Sequence, residues 1–301
     1  MVAHVRSFSR TVTQRVGALS DRFMDRKRPL AQSRMLWEIG VEGCEVRLLR
    51  SRLGLDSGHA SRLLRALEAE GLVVVTPSAS DRRVRMARLT RAGMRERALL
   101  DRRSDAHAAS ILAGLDAGRR EQLIAAMRTV ERLLTAAAVE LRMVDPASRD
   151  ALDCLGAYYA ELNRRSRSGY DPSAGVSAEP HELRPPAGGF FVAYLRGDAI
   201  GCGGVKLHGE APAEIKRMWV AESARGLGIG RRMLECLEAF AAERGATIAH
   251  IETNRTLVEA ITLYRSVGYV EVPAFNDEPF ADHWFEKGLD PGAGRSSDRG
   301  D

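Results

Sequence analysis

The segment Arg225-Gly226-Leu227-Gly228-Ile229-Gly230 lies between a strand-like stretch and an amphipathic helical pattern. Glycine lacks a Cβ atom, so backbone N–H groups in such a turn can approach an anion closely, and the start of a helix adds a positive end. By itself the hexapeptide also suits a dinucleotide-binding turn or a simple reversal of the chain. Its flanking segments therefore decide what it indicates.

The flanking segments predict a strand, a glycine turn and a helix in that order. Upstream, residues 213–220 alternate in the manner of a half-buried strand. Downstream, apolar residues recur at helical spacing until Gly245. These apolar residues are Met233, Leu234, Leu237, Phe240 and Ala241.

A second unit of the same kind follows directly. Residues 248–253 are typical of a strand, and Thr256 with Glu259 forms a capping-box pattern that predicts the start of a helix. The apolar stripe of that helix consists of Leu257, Ala260, Ile261 and Tyr264, and Gly268 ends it.

With these two units, residues 143 to about 290 resemble a GNAT-type N-acetyltransferase. Arg225-x-x-Gly228-x-Gly230 matches the acetyl-coenzyme A motif of that family, and the second block matches at Asn254, Ala260, Leu263, Tyr264, Gly268 and Tyr269. The resemblance implies an α/β (α+β) GNAT fold with a central mixed, largely antiparallel sheet. It also implies acetyl-CoA as the acetyl donor and direct attack by an amine acceptor.

The resemblance implies a role for each part of the cofactor site. The strand end at Met218, Trp219 and Val220 is expected to offer backbone groups to the pantetheine arm, and the glycine turn to hold the pyrophosphate. The implied cofactor-binding residues are Met218, Trp219, Val220, Arg225, Gly226, Leu227, Gly228, Ile229, Gly230, Arg231 and Asn254.

The resemblance also assigns catalytic candidates. Tyr264 is expected to donate a proton to the departing thiolate. Glu214 and Glu252 are the candidates for the base that removes the proton of the ammonium group, since partial burial would raise a carboxylate pKa toward neutrality. The alternative is that either glutamate is an ordinary strand-end carboxylate paired with Lys216 or Arg217.

The two halves of the chain differ in charge, and a length of 301 residues is sufficient for two domains. Residues 1–142 carry 27 lysines and arginines against 16 acidic residues, whereas residues 143–301 carry 18 against 24. A bias in genomic composition would favour arginine in both halves alike. The basic half therefore indicates a polyanionic partner, most often nucleic acid.

A helix-turn-helix pattern lies within the basic half. Residues 45–53 suit a short helix, Gly54 a tight turn, and Ser57 the N-cap of a second helix. The second helix buries Ala60, Leu63, Leu64 and Leu67 and leaves a polar face that could enter a major groove.

Two strand-like runs follow, at residues 72–76 and 84–89, joined by a basic tip. The helices and hairpin together resemble the winged helix of the MarR-family transcriptional regulators over about residues 5–142, including Asp81 and Arg83 at the wing tip. By that resemblance the DNA-contacting residues are Ser57, His59, Ser61, Arg62, Arg65, Asp81 and Arg83, with Arg83 reaching the minor groove.

The resemblance further implies a homodimer that forms through its terminal helices and binds double-stranded DNA. Helical patterns over residues 3–25 and 94–142 carry more apolar surface than a small winged core covers. We expect the domains at 1–142 and 143–290, an acceptor-side loop over 166–189, and a disordered tail at 291–301.

The remaining composition excludes other classes. The cysteines at 44, 154, 202 and 236 lack metal-ligand spacing, so no metal site is expected, and reduced thiols fit a cytoplasmic protein. No apolar run is long enough to span a membrane.

Three functions remain open at this point. The chain is a regulator with a working N-acetyltransferase, a regulator whose second half only senses acetyl-CoA, or an acetyltransferase that uses its winged half for dimerisation alone.

Overall fold

The computed structural model describes residues 1–15, 28–79, 81–166, 169, 171, 178–209 and 211–290. The chain divides into two compact units, Met1–Val130 and Glu131–Asp301. Each unit has its own hydrophobic core.

The first unit is mainly helical and carries a small three-stranded sheet. Its strands lie in the order β1-β3-β2, with both neighbouring pairs antiparallel. The elements are α1 (Val2–Arg15), α2 (Leu30–Ile39), β1 (Cys44–Glu45), α3 (Val46–Leu53), α4 (Ser57–Ala69), β2 (Val73–Pro77), β3 (Arg85–Leu89), α5 (Arg91–Ala113) and α6 (Ala117–Ala137), the last of which continues across the boundary.

The expected helix-turn-helix is formed by α3 and α4. Gly54 ends α3 in the left-handed conformation with φ 62°, which glycine adopts without strain. Asp56, rather than Ser57, is the N-cap of α4, since its side chain accepts a hydrogen bond of 2.8 Å from the backbone N–H of His59. The prediction of Ser57 as the cap was wrong by one residue, and Ser57 is the first residue of the helix.

The wing is the antiparallel hairpin of β2 and β3. Asp81 orders its tip, because its carboxylate accepts a hydrogen bond from the backbone N–H of Arg83 at 2.9 Å. Behind the wing, Thr90 caps α5 by accepting from the N–H of Gly93 and donates to the carbonyl of Gly71. These bonds join the hairpin to the helix that follows it.

The second unit is a seven-stranded sheet with helices on both faces. The strand order is β4-β5-β6-β7-β8-β10-β9, in which only β7 and β8 are parallel neighbours. The elements are β4 (Val139–Met143), α7 (Arg149–Arg165), β5 (Gly188–Leu195), β6 (Asp198–His208), β7 (Ala211–Val220), α8 (Ile229–Ala242), β8 (Ile248–Thr253), α9 (Val258–Ser266), β9 (Val270–Val272) and β10 (His283–Gly288).

Two apolar clusters cover the faces of this sheet. Met233, Leu234 and Leu237 of α8 pack with the buried positions of β7 and β8, Ala213, Ile215, Ala249 and Ile251. Cys154 and Leu155 of α7 pack in a second cluster with Phe190 and Val192 of β5. The central strands are therefore buried on both faces, as the predicted mixed sheet requires.

The boundary between the units lies earlier than residue 142. Strand β4 pairs along its whole length with β5, from Val139–Leu195 to Met143–Phe191, and so belongs to the second sheet. Part of the expected acceptor-side loop, the distal part of the helix expected over 3–25, and the tail at 291–301 lie outside the described residues.

The three lysines among the described residues lie in the second unit and are ion-paired. Lys206 contacts Glu182 at 2.9 Å, Lys287 contacts Glu238 at 2.8 Å, and Lys216 contacts Glu214 and Glu252. All four cysteines are free thiols. Within the part of the chain that the structure describes, no helix combines the length and apolar character needed to cross a membrane.

Candidate functional site

The parallel strands β7 and β8 separate at the candidate site. They pair only at Ala213–Ala249 and Glu214–His250. Beyond these pairs, residues 215–218 of β7 and residues 251–254 both line a cavity. Since paired strands lie about 4.8 Å apart, the loss of pairing opens a gap between their carboxyl ends.

A β-bulge lies at the same place in β7. Cys202 of β6 pairs with Trp219 and Gly204 pairs with Lys216, so that two residues of β7 face one of β6. Arg217, at the bulge, has a φ of 58°. A non-glycine residue in this conformation is strained, and such residues concentrate at functional sites. The bulge re-aims the side chains of the strand end into the gap.

The glycine turn borders a cavity of about 520 Å³. Gly226 and Gly228 have φ values of 80° and 74°, which only glycine adopts without strain, and the space where a Cβ would stand is open. Helix α8 begins at Ile229, so its free N–H groups and positive end lie at the turn. This arrangement fits a ligand that carries phosphates.

Residues of the expected cofactor set take different positions around this cavity. The strand end and the turn line it, through Met218, Trp219, Val220, Arg225, Gly226, Gly228, Ile229, Gly230 and Arg231. Leu227 instead packs against the apolar core. The guanidinium of Arg231 donates to the hydroxyl of Ser266 at 3.0 Å.

Arg225 is bound to a carboxylate that the sequence analysis did not identify. One of its terminal nitrogens lies 2.6 Å from both carboxylate oxygens of Glu161 in α7. The indole N–H of Trp219 donates to the same carboxylate at 2.9 Å. Arg225 is expected to bind the cofactor, and the structure shows that its guanidinium also pairs with a carboxylate within the protein.

The start of α9 differs from the capping box predicted at Thr256 and Glu259. The side-chain carbonyl of Asn254 accepts from both the backbone N–H and the hydroxyl of Thr256, and α9 begins at Val258. Glu259 instead forms an ion pair of 2.9 Å with Arg165 of α7. The amide nitrogen of Asn254 donates to the carbonyl of Phe280 at 2.8 Å.

A smaller cavity of about 120 Å³ adjoins the first. The residues that line both cavities are Tyr158, Leu162, Met218, Leu257, Ala260 and Tyr264. Tyr264 is 5% exposed, and burial, followed by the nearby Glu252 carboxylate, raises the pKa of its phenol well above the ordinary value. The phenol therefore keeps its proton at neutral pH.

The two candidate base carboxylates share one lysine. The ammonium of Lys216 contacts Glu252 and, at 2.9 Å, Glu214, whose other oxygen accepts from His208 at 2.9 Å. Burial alone would raise the pKa of Glu214, but the charge of Lys216 outweighs it and lowers that pKa. The expectation of a raised pKa is wrong for Glu214, because the lysine neutralises it.

Glu252 differs from Glu214 in its position, because Glu214 lines neither of the two cavities. Glu252 lines the smaller cavity, its side chain is 9% exposed, and its second carboxylate oxygen is buried without a hydrogen-bond partner. Burial would lower the pKa of Lys216, yet Glu252 and Glu214 together raise it, so the lysine stays charged. A buried carboxylate oxygen without a partner is uncommon in a folded protein, which marks Glu252 as a candidate functional residue.

In the first unit, α4 and the wing tip present the expected basic side chains. Arg62, Arg65, Ser57, Asp81 and Arg83 are exposed, whereas His59 and Ser61 are half-buried. Asp81 binds the backbone of Arg83 rather than its guanidinium, so it shapes the tip and leaves the cation extended toward solvent. Ser61 accepts a bond of 3.3 Å from Arg65 through its backbone carbonyl.

Comparison with known proteins assigns a family to each unit. Residues 186–271 match the acetyltransferase (GNAT) domain, and residues 28–84 match the MarR family. The chain is 34% identical over 112 residues to a protein named IAA acetyltransferase from Azospirillum brasilense, an alignment that covers 37% of this chain and 73% of that protein. It is 32% identical over 83 residues to an uncharacterised N-acetyltransferase from Chlorobaculum tepidum, covering 28% of this chain and 50% of that one.

An acetyltransferase of the GNAT family from Staphylococcus aureus aligns with 51% of this chain and 100% of its own, at 15% identity and a TM-score of 0.44. The identity and coverage of the Azospirillum relative carry the assignment. The chain therefore belongs to the GNAT family of N-acetyltransferases, and a MarR-family domain precedes its acetyltransferase domain.

Proposed function

We propose that this chain transfers the acetyl group of acetyl-CoA to an amine and that its MarR-family domain binds double-stranded DNA as a homodimer. One observation carries the enzymatic half of the proposal: the phosphate-fitting cavity and the smaller cavity meet at Tyr264. A donor in the first cavity and an acceptor in the second would therefore meet at a proton donor.

The residues of the larger cavity fit acetyl-CoA. The N–H groups of the glycine turn and of the first turn of α8 would hold the pyrophosphate, and the freed end of β7 at Met218–Val220 would bind the pantetheine arm through its backbone. When bound, acetyl-CoA supplies the thioester carbonyl that the amine attacks. The cavity walls exclude water from this junction.

Glu252 is our candidate for the base, and its carboxylate contacts the ammonium of Lys216. Its side chain lines the smaller cavity, where one oxygen of the carboxylate can accept a hydrogen bond from the ammonium form of the acceptor. Transfer of one proton to that oxygen leaves the amine neutral and nucleophilic. Glu214 then serves to share the charge of Lys216.

Tyr264 is our candidate for the acid. Because its raised pKa keeps the phenol protonated, its hydroxyl can donate a proton to the thiolate that departs. The nitrogen loses a second proton as the C–S bond breaks and the amide forms, and that proton restores the phenol of Tyr264. The proton taken up by Glu252 returns to solvent before the next cycle, so the charges balance over one turnover.

The test of the enzymatic half is Tyr264→Phe in the full-length chain. We expect kcat for thiol release from acetyl-CoA, screened against a panel of amines, to fall by about 10²-fold or more, with the affinity for coenzyme A retained. Tyr269→Phe is the matched control, because Tyr269 is also buried, with its ring centre 6.0 Å from that of Tyr264, but lines neither cavity. Equal activity of the two variants would remove Tyr264 as the acid.

The regulatory half rests on the exposed arginines of α4 and the wing tip. Arg62 and Arg65 lie on the exposed side of α4, while Ala60, Leu64 and Leu67 are buried on the other. This division of faces suits insertion of a helix into a major groove.

The DNA proposal is tested by the double variant Arg62→Ala, Arg65→Ala. We expect it to abolish a salt-sensitive mobility shift of the DNA upstream of the gene, and to reduce the salt slope by about 1 per lost phosphate contact. Arg119→Ala is the control, since Arg119 is an exposed arginine at the start of α6. Unchanged binding by the double variant would mean that α4 is not the reading helix. A wild-type chain that binds no DNA would favour a winged domain that serves dimerisation alone.

The sensing alternative is separated by adding acetyl-CoA to the same assay. A change in DNA affinity together with no acetyl transfer to any amine would favour a sensor. Acetyl transfer that is lost in Tyr264→Phe would favour the enzyme.

A further inference from the structure

Glu161 is an acidic residue in a cavity that suits an anion. It lies on α7, lines the same cavity as the glycine turn, and its side chain is 9% exposed. A carboxylate close to a bound phosphate would oppose binding by charge repulsion. Glu161 therefore does not attract the ligand directly, and another role must explain its position in this cavity.

The contacts of Glu161 supply that function. Its carboxylate binds the guanidinium of Arg225 at 2.6 Å and the indole N–H of Trp219 at 2.9 Å, and Arg165 approaches it at 2.8 Å. Burial opposes ionisation of Glu161, but the bonds from Arg225 and Trp219 outweigh burial and lower its pKa. The carboxylate is therefore ionised at neutral pH and satisfied by several donors.

Two of these partners, Trp219 and Arg225, belong to the strand end and the turn that border the larger cavity. Trp219 lies at the freed end of β7, and Arg225 is the first residue of the glycine turn. Arg225 also donates to the carbonyl of Val220 at 3.2 Å, which ties the turn back to the strand. One carboxylate thus fixes the strand end and the turn relative to each other.

We propose that Glu161 is a positioning residue for the coenzyme: it preorganises the strand end and the glycine turn through Trp219 and Arg225, so that their backbone N–H groups are already aimed at the ligand. Preorganisation raises affinity by removing the cost of ordering these segments upon binding. The inference rests on the proposed function, since it takes coenzyme A as the ligand of this cavity.

The test is Glu161→Gln, with coenzyme A as the probe and calorimetry on the full-length chain as the measurement. Glutamine keeps the shape of the side chain but loses the charge that holds the guanidinium. We expect the Kd for coenzyme A to rise by about tenfold or more. Charge repulsion alone predicts the opposite sign, tighter binding, so an unchanged or lower Kd would overturn the inference.

Glu259→Gln is the matched control. Glu259 lines the same cavity and pairs with Arg165, but contacts neither Arg225 nor Trp219. Removal of its charge is expected to leave the Kd unchanged or to lower it. Equal weakening in both variants would contradict a specific role for Glu161.

A second variant, Arg225→Lys, keeps the positive charge and removes the guanidinium contact with Glu161. If Arg225 acts through the turn, the Kd rises here as well; if its charge attracts phosphate directly, the Kd stays close to the wild-type value and the inference fails. Trp219 emission offers an independent signal, because Glu161→Gln removes the negative charge beside the indole N–H in the absence of any ligand.

Steady-state kinetics separate positioning from chemistry. We expect KM for acetyl-CoA to rise in Glu161→Gln and Arg225→Lys, while kcat at saturation stays within about twofold. Wild-type chain that fails to bind coenzyme A would contradict the proposed function itself. Wild-type binding that is unaltered in both variants would contradict only the role of Glu161.

Discussion

At the scale of single residues, Lys216 determines the charge balance beside the smaller cavity. Its ammonium is the shared partner of Glu214 and Glu252, and only 6% of its side chain is exposed. Removal of one partner from a buried ion pair leaves uncompensated charge, which is among the costlier changes in a protein.

We therefore predict that Lys216→Met lowers the free energy of unfolding at pH 7 by about 3 kcal/mol. The pKa of Glu214 is lowered in the folded chain, so its pairing stabilises the fold above the pKa of the unfolded chain, near 4, and that contribution disappears as the pH falls through the folded value. Urea unfolding of wild type and variant at pH 7.5 and pH 4 should give a smaller difference at the lower pH.

Lys287→Met is the control for this prediction. The pair of Lys287 with Glu238 is more exposed, at 25% for the lysine side chain, and its loss should cost about 1 kcal/mol or less. If Lys216→Met lowers the free energy of unfolding equally at both pH values, the loss comes from packing rather than from an unpaired charge.

The sequence locates some of these residues and misses others for a physical reason. Glu214 and Glu252 stand out because they lie on strands that flank the glycine turn. Glu161 does not, because its partners Trp219 and Arg225 are 58 and 64 residues away. A contact between distant segments depends on the fold, and no local pattern around Glu161 signals it.

At the scale of elements, the sequence predicts a helix, strand or turn correctly where the signal for it lies within the element itself. The glycine turn, β8 and α4 lie where the sequence places them, because turns, alternation and apolar stripes are local signals. The capping box at Thr256 fails because two other contacts compete with it. Asn254, two residues earlier, accepts hydrogen bonds from Thr256, and the distant Arg165 pairs with Glu259.

The junction of the wing and α5 provides a test at this scale. A Cβ at Gly93 would stand 2.0 Å from the carbonyl oxygen of Leu72, so Gly93→Ala must push the wing strand away from the helix. We predict a loss of several kcal/mol for the first unit, seen as an earlier thermal transition, and weaker DNA binding. Gly114→Ala, where nothing lies within 4 Å, should leave both unchanged.

At the scale of the whole molecule, two helices expose apolar stripes. Val5, Phe8 and Val12 of α1 are 64%, 48% and 39% exposed and share one face by their spacing. In α6, Met127 and Leu134 are exposed and lie two helical turns apart, and no residue of either helix is buried. Exposed stripes of this kind fit the proposed homodimer.

We predict that Phe8→Glu shifts the chain from dimer to monomer in sedimentation velocity and weakens DNA binding, since a charge at a buried interface is unfavourable. Val41→Glu is the control, because Val41 is 61% exposed but lies in a turn outside both stripes. A chain that is already monomeric, or a dimer that tolerates the glutamate, would contradict dimerisation through α1.

An enzyme that acetylates amines can also acetylate its own lysines, and the ion pairs of the described lysines reduce this reaction. The chain holds only four lysines, and the three that the structure describes are each held by a carboxylate, with side chains 8%, 6% and 25% exposed. A protonated, paired amine is a poor nucleophile. These lysines therefore offer little competition for the enzyme's own acetyl donor, and incubation with acetyl-CoA should leave them unmodified by mass spectrometry.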